Sequence, residues 1–319
     1  MIYKPTVLIL GAGASCPFGF PSGKGLGDGI IGLKDDSYKK ELLIAMGFDK
    51  KLIDDFINKL SGSKAQSIDL FLQHNSKSYI EIGKAAIAIT LLQYENNDNF
   101  RNDDWYGFLW SAMNDADFNS FAINQVSIIT YNYERSLEHY LFTVMSHLYG
   151  ANDEELAIKL SQIPIVHLHG QLGLLPWQKN RSNNNQVIYP YGGIRYNYND
   201  KRDDIEEEEK AELMIVDNAK KIKQISTGIK VLHEDASKDK DFITAFKLFE
   251  KAAQIFFLGC GYHSANMDRL NISQFQQKTI IGTSYNMSGI VQENIINRYK
   301  IRLSNQNALD FLTNNVTFE

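Results

Sequence analysis

A chain of 319 residues, 44% of them hydrophobic and 22% charged, carries enough apolar material for a sizeable core, as one large domain with insertions or as two domains. Its net charge of −5 argues against a whole-surface affinity for nucleic acid, and no apolar run reaches the roughly 18 residues that a membrane helix needs. Two cysteines, Cys16 and Cys260, cannot supply a four-cysteine zinc site or a disulfide framework. The opening Met1-Ile2-Tyr3-Lys4-Pro5 leads into an apolar run without a targeting pattern, so the expected location is cytoplasmic.

Val7-Leu8-Ile9-Leu10 has no polar alternation and reads as a strand buried on both faces, the habit of a central parallel strand. It stops on Gly11-Ala12-Gly13-Ala14-Ser15. Gly11 and Gly13 leave backbone N–H groups uncovered by side chains, where a phosphate could approach. The following window, Cys16 to Gly29, holds five glycines and two prolines and reads as a loop, either a lid over a ligand or an ordinary surface connection.

From about Asp36 to Met113 the spacing is helical, as in Leu42, Leu43 and Met46 or Leu52, Phe56 and Leu60. Residues 36–120 are therefore expected to be a helical insertion covering one side of a sheet. Strand character returns at Val126-Ser127-Ile128-Ile129-Thr130-Tyr131-Asn132-Tyr133, with Ile128, Thr130 and Asn132 on one face. Asn132 then stands at the carboxyl end of a buried strand, the edge where open parallel sheets bind ligands. Ile163 to Gly170 repeats this grammar with His167 and His169 on a shared face. His167 reads as a hydrogen-bonded core histidine, and His169, nearer the strand end, as a functional one.

Residues 176–254 read as a second insertion. Glu206 to Glu209 open a helix that later carries Lys220, Lys221 and Lys223, a charge order that suits the helix dipole. Ile255 to Leu258 runs onto Gly259-Cys260-Gly261, and Thr279 to Ser284 is the last expected strand. Strand and helix alternate, so the expected fold is α/β, a doubly wound, mostly parallel Rossmann-like sheet with a helical insertion and a second smaller one.

The opening turn alone is weak evidence, because Cys16 stands where a dinucleotide fingerprint wants its third glycine. Asp35 and Asp36 lie roughly where a ribose-binding acid would be, or simply cap the next helix. The constellation says more. Gly11-Ala12-Gly13-Ala14-Ser15, Thr130-Tyr131-Asn132-Tyr133-Glu134 and His167-Leu168-His169-Gly170 resemble the sirtuin family in order and spacing. Phe20-Pro21-Ser22-Gly23 and Leu258-Gly259-Cys260-Gly261-Tyr262 add a similarity to the sirtuin-like NAD hydrolases of bacterial antiphage defence. It covers residues 1 to about 35, about 120 to 175 and 254 to 290, within what it implies is one sirtuin-like domain over 1–319. Tyr131 and Glu134 depart from the glutamine and aspartate of the deacylase pattern, and the cysteines of its zinc site are missing.

The resemblance implies an NAD glycohydrolase that depletes NAD, with NAD as substrate and not as cofactor. It implies Asn132 and His169 as catalytic residues, and Gly11, Ala12, Gly13, Ser15, Ser22, Thr130, Gly259 and Gly261 as NAD-binding residues. It also implies control by a separate protein or by assembly into a homo-oligomer; from charge and hydropathy, no membrane or nucleic-acid partner is expected. The expected chemistry has an amide at Asn132 orienting water or ribose hydroxyls, and an imidazole at His169 accepting a proton near neutral pH. Backbone N–H groups around Gly13 and the Ser15 hydroxyl are expected to hold the diphosphate. Three other readings stand beside it. One is a metal-dependent hydrolase using His167-x-His169 with His263 or Glu134, although no metal site is expected. The others are a non-catalytic module sensing NAD or ADP-ribose, and a deacylase.

Overall fold

Five consecutive buried residues, Thr6–Leu10, form strand β1. In the computed structural model, which describes residues 1–75, 77–101, 103–115, 117–181, 187–194, 205–231 and 239–318, β1 lies at the centre of a sheet. Its partners are β2 (Val126–Thr130) and β4 (Gln254–Leu258), with β3 (Ile165–His167), β5 (Thr279–Thr283) and β6 (Arg302–Ser304) farther out. The order is β3-β2-β1-β4-β5-β6, and every pairing is parallel. Strands covered on both faces need no polar alternation, which is why β1 and β4 read as unbroken apolar runs. The fold is a doubly wound α/β fold, and the strand order reverses beside β1, between β1 and β4.

Register brings the strand ends level. Leu10 pairs with Thr130 and with Leu258, and Thr130 pairs with His167. Turns after β1, β2, β3 and β4 therefore leave one edge of the sheet. The strands are shorter than the sequence suggests: β2 stops two residues before Asn132, and β3 two residues before His169. β6 was not expected. Its three residues are too few, and too exposed, to leave a pattern.

The chain divides into two compact units: 1–20, 98–169 and 233–319 form the sheet unit, and 21–97 with 170–232 form the other. The boundary falls inside both expected insertions. In the first, α6 (Trp105–Met113) belongs to the sheet unit. In the second, α10 (Lys240–Lys251) does so; outside the insertions, α7 (Ser136–Tyr149), α8 (Asp153–Leu160), α11 (Ser264–Leu270), α12 (Gly289–Tyr299) and α13 (Ala308–Asn315) also belong to the sheet unit. Residues 182–186, 195–204 and 232–238 of the second insertion lie outside the described residues.

The other unit is mainly helical. It contains α1 (Gly23–Gly32), α2 (Ser37–Ala45), α3 (Lys50–Ser63), α4 (Ile68–His74), α5 (Ile80–Leu92) and α9 (Ile205–Ser226). Helix α9 packs on α2 and α5, so pieces of the two insertions form one core. The long helix expected after Glu206 is present; the expected loop from residue 23 is corrected to α1. Five glycines weaken α1 by propensity. The Ser22 side chain caps it by accepting from Gly25 N–H (3.1 Å), Leu26 and Ile30 are buried, and Gly29 meets the Thr90 side chain. Ser22→Ala is expected to lower stability by about 1 kcal/mol, read from the denaturation midpoint of the purified protein.

The remainder of the expected lid is fastened within the sheet unit. Trp105 Nε1–H donates to Ala14 O (2.7 Å), Asn99 Nδ2 donates to Phe18 O (3.0 Å), and the Phe18 ring stacks on Tyr106 at 3.7 Å. Residues 12–18 are two short 3-10 turns, not a mobile strap.

Candidate functional site

Two glycine turns leave the same edge of the sheet and press against each other. Gly11 N–H donates to Leu258 O (3.0 Å) and Gly13 N–H to Gly259 O (2.9 Å). Ala14 N–H and Ser15 N–H close back on Gly11 O and Ala12 O at 2.9 and 3.1 Å. The donors expected to face a phosphate are thus engaged within the protein. Glycine is required here for another reason. A Cβ on Gly11 or Gly13 would lie 2.6 or 2.8 Å from Gly259 O, and one on Gly259 would lie 2.0 Å from Ala14 N. Gly259 also has φ +60°, where an L side chain is strained. Gly259→Ala is therefore expected to lower stability by about 3 kcal/mol, from overpacking and left-handed strain together, as measured by urea unfolding.

Gly259 N–H donates to Thr283 Oγ1 (2.9 Å), and Tyr262 OH donates to Thr283 O (2.9 Å). These bonds tie the second turn to the end of β5. Gly261 belongs to the same turn, ahead of α11. Between Gly259 and Gly261, burial pushes the Cys260 thiol up to about 12, and its Sγ lies 3.5 Å from Ile9 O. Such a thiol is a packing group, not a nucleophile. Ser284, the residue after β5, has a buried Oγ with no hydrogen-bond partner among the described residues. A polar ligand at this edge would satisfy it.

Asn132 joins the end of β2 to the first glycine turn. Its backbone N–H donates to Thr130 Oγ1 (3.0 Å), which turns the chain after β2. Its Nδ2 donates to Gly11 O (3.2 Å) and Ser15 Oγ (2.9 Å). Because Gly11 O can only accept, the amide nitrogen must face it, and Oδ1 is left as the acceptor on the other side. The Ser15 hydroxyl, in accepting from Asn132, gives its own hydrogen to Glu134 Oε1 (2.6 Å). Its single donor is thereby engaged on Glu134. Glu134 Oε2 accepts from Ser136 N–H (2.6 Å) at the start of α7, and Ser136 Oγ pairs with Tyr106 OH (2.6 Å).

Beside this chain lies a buried charged cluster that the sequence reading did not find. His167 Nδ1 lies 2.8 Å from Asn132 O, and His167 Nε2 lies 2.7 Å from Glu138 Oε1. Arg135, 1% exposed, reaches the same oxygen through Nε and Nη2, each at 3.0 Å. The only hint in the sequence is the i, i+3 spacing of Arg135 and Glu138 just after Asn132. Burial by itself would raise the Glu138 carboxyl, but Arg135 and His167 outweigh it and hold it down at about 2. Its contribution to stability is therefore fully present above the unfolded value of 4.5 and is lost as pH falls towards about 2. Acid unfolding of the native protein is expected to begin below pH 4.5, and Glu138→Gln should flatten that part of the stability–pH curve, as followed by circular dichroism.

With both ring nitrogens of His167 engaged, a His167-x-His169 metal pair has lost one member. Among the described residues no group of three or more His, Cys, Asp or Glu is placed to hold a metal ion. His169 stands two residues past the pairing of Thr130 with His167, as Asn132 does on the neighbouring strand. It is 3% exposed, edge-on to the Tyr131 ring at 5.3 Å and 6.0 Å from the Tyr133 ring. Burial raises the Tyr131 phenol well above its ordinary value, so that wall stays neutral.

Gly11, Ala12, Gly13, Ser15, Thr130, Asn132, His169, Gly259 and Gly261 all belong to the sheet unit. Of the residues expected at the site, Ser22 alone belongs to the other unit, where its hydroxyl caps α1. No helix among the described residues is long and apolar enough to cross a membrane. No protein-family model, curated protein or solved structure matches the chain.

Proposed function

We propose that the protein is an NAD glycohydrolase that cleaves NAD to nicotinamide and ADP-ribose. One observation carries the reading: an asparagine at the ligand edge of a doubly wound sheet has both amide hydrogens fixed by Gly11 O and Ser15 Oγ. An amide held in this way presents Oδ1 as an immobile neutral acceptor, suited to orienting a water or a ribose hydroxyl. The unsatisfied hydroxyl of Ser284 and the reversal of strand order beside β1 support a polar ligand there.

The chemistry asks little of the protein. The C1′–N bond breaks with its electron pair going to the cationic nicotinamide ring, which leaves neutral and needs no acid. An oxocarbenium-like ribose remains, water adds to C1′, and its proton passes to an imidazole, assigned here to His169. Because the Gly13 N–H and the Ser15 hydroxyl are engaged internally, this pair is assigned to shaping the site around Asn132 and not to gripping the diphosphate.

Incubating the purified protein with NAD and following nicotinamide and ADP-ribose by chromatography tests the reading. Equimolar release of the two is the expected result. NAD binding without turnover under any condition would point instead to a sensing module. On the sequence resemblance we also propose that the activity serves antiphage defence and is restrained by a separate protein or by the state of self-assembly. Full activity of the dilute protein alone would remove that restraint from the proposal.

A further inference from the structure

The buried cluster behind Asn132 has a role that packing alone does not explain. We propose that His167 is a positioning residue, held as a doubly protonated imidazolium, that fixes Asn132 through its backbone carbonyl. The argument starts from the acceptors. His167 Nδ1 faces Asn132 O at 2.8 Å, and a peptide oxygen has no hydrogen to give. His167 Nε2 faces Glu138 Oε1 at 2.7 Å, and that same oxygen already receives Arg135 Nε at 3.0 Å. A carboxylate oxygen that already accepts from Arg135 Nε and Nη2 has no hydrogen to give either, so both ring nitrogens of His167 must donate.

Charge then balances within the cluster. Arg135 and His167 bring two positive charges, and Glu138 and Glu134 bring two negative ones, all at residues no more than 7% exposed. A neutral set of paired ions tolerates burial where a single ion does not. Glu134 precedes α7 and Glu138 lies in its first turn, and the two carboxylates hold Asn132 from two sides. Glu134 acts on the side chain through Ser15 Oγ (2.6 Å), and Glu138 acts on the main chain through His167 (2.7 Å). Charge-assisted bonds of this length restrict the peptide that carries the amide, and small displacements of a reacting group are costly in rate. The imidazolium therefore sets where Oδ1 of Asn132 sits. His167 itself touches no substrate in this arrangement.

The assignment of an effect on catalysis rests on the NAD-cleaving reading; the protonation state does not. In native protein carrying 15N-labelled histidine at neutral pH, the spectrum should show both ring nitrogens of His167 bearing hydrogen, with the signal assigned by its loss in His167→Gln. A bare ring nitrogen at His167 overturns the proposal. In kinetics, Glu138→Gln should lower kcat for NAD cleavage roughly 10- to 100-fold with KM nearly unchanged. A rise in KM with kcat unchanged, or no change in either constant, also overturns it. If the native protein cleaves no NAD, the functional reading fails by itself, and the ring-nitrogen spectrum still decides the imidazolium.

Discussion

Replacing His169 by alanine is expected to slow NAD cleavage by about 10²–10⁴-fold, the usual cost of removing a general base. The residue's position suits the proposed role. It lies just beyond β3, at the level of Asn132 beyond β2, and the tyrosine rings of residues 131 and 133 stand beside it. A nearly buried imidazole between aromatic rings excludes bulk water, so a proton it takes comes from a bound group. Because the base would act after the ribose is bound in the proposed reaction, the loss should fall on kcat and leave KM for NAD nearly unchanged. Measuring both constants on a variant whose circular dichroism matches the native protein checks this. Full activity in His169→Ala moves the base elsewhere.

Replacing Asn132 by alanine is expected to cost about 10²–10³-fold in kcat, comparable to deleting one preorganised polar group from a transition-state site. The amide is fixed before substrate arrives, because Gly11 O and Ser15 Oγ take its hydrogens. The variant also leaves Gly11 O and Ser15 Oγ without that donor, so some loss of stability accompanies the loss of rate. Asn132→Asp adds a charge to the same loss of donors. A carboxylate next to Ser15 and Glu134 places like charges together and removes both N–H donors, so it should be as inactive as alanine and less stable. Product release for the rate, with urea unfolding for stability, distinguishes these outcomes.

Much of the frame was legible from residue pattern alone. Unalternating apolar runs at Val7 to Leu10 and Ile255 to Leu258 announced strands covered on both faces, and both lie in the middle of the parallel sheet. The positions of Asn132 and His169 followed from the same logic, since each comes just after such a run. Misreadings occurred where local composition and packing pull in opposite directions. The glycines of residues 23–32 speak against a helix, yet the Ser22 cap and the burial of Leu26 and Ile30 outweigh them.

What the sequence by itself determined, then, is the alternation of the main strands with helices, and which residues follow the strands at one edge of the sheet. Those properties depend on spacing along the chain, which local pattern records. Only the tertiary structure decided where each polar atom finds its partner. The Gly13 N–H meets Gly259 O, the Ser15 hydroxyl meets Glu134, and His167 joins Asn132 to Glu138. Such partners come from segments far apart in the chain, brought within hydrogen-bond range by burial of the sheet. A buried donor or acceptor cannot stay unmatched without cost, so that packing, and not the motif, settles what each residue of the opening turn does.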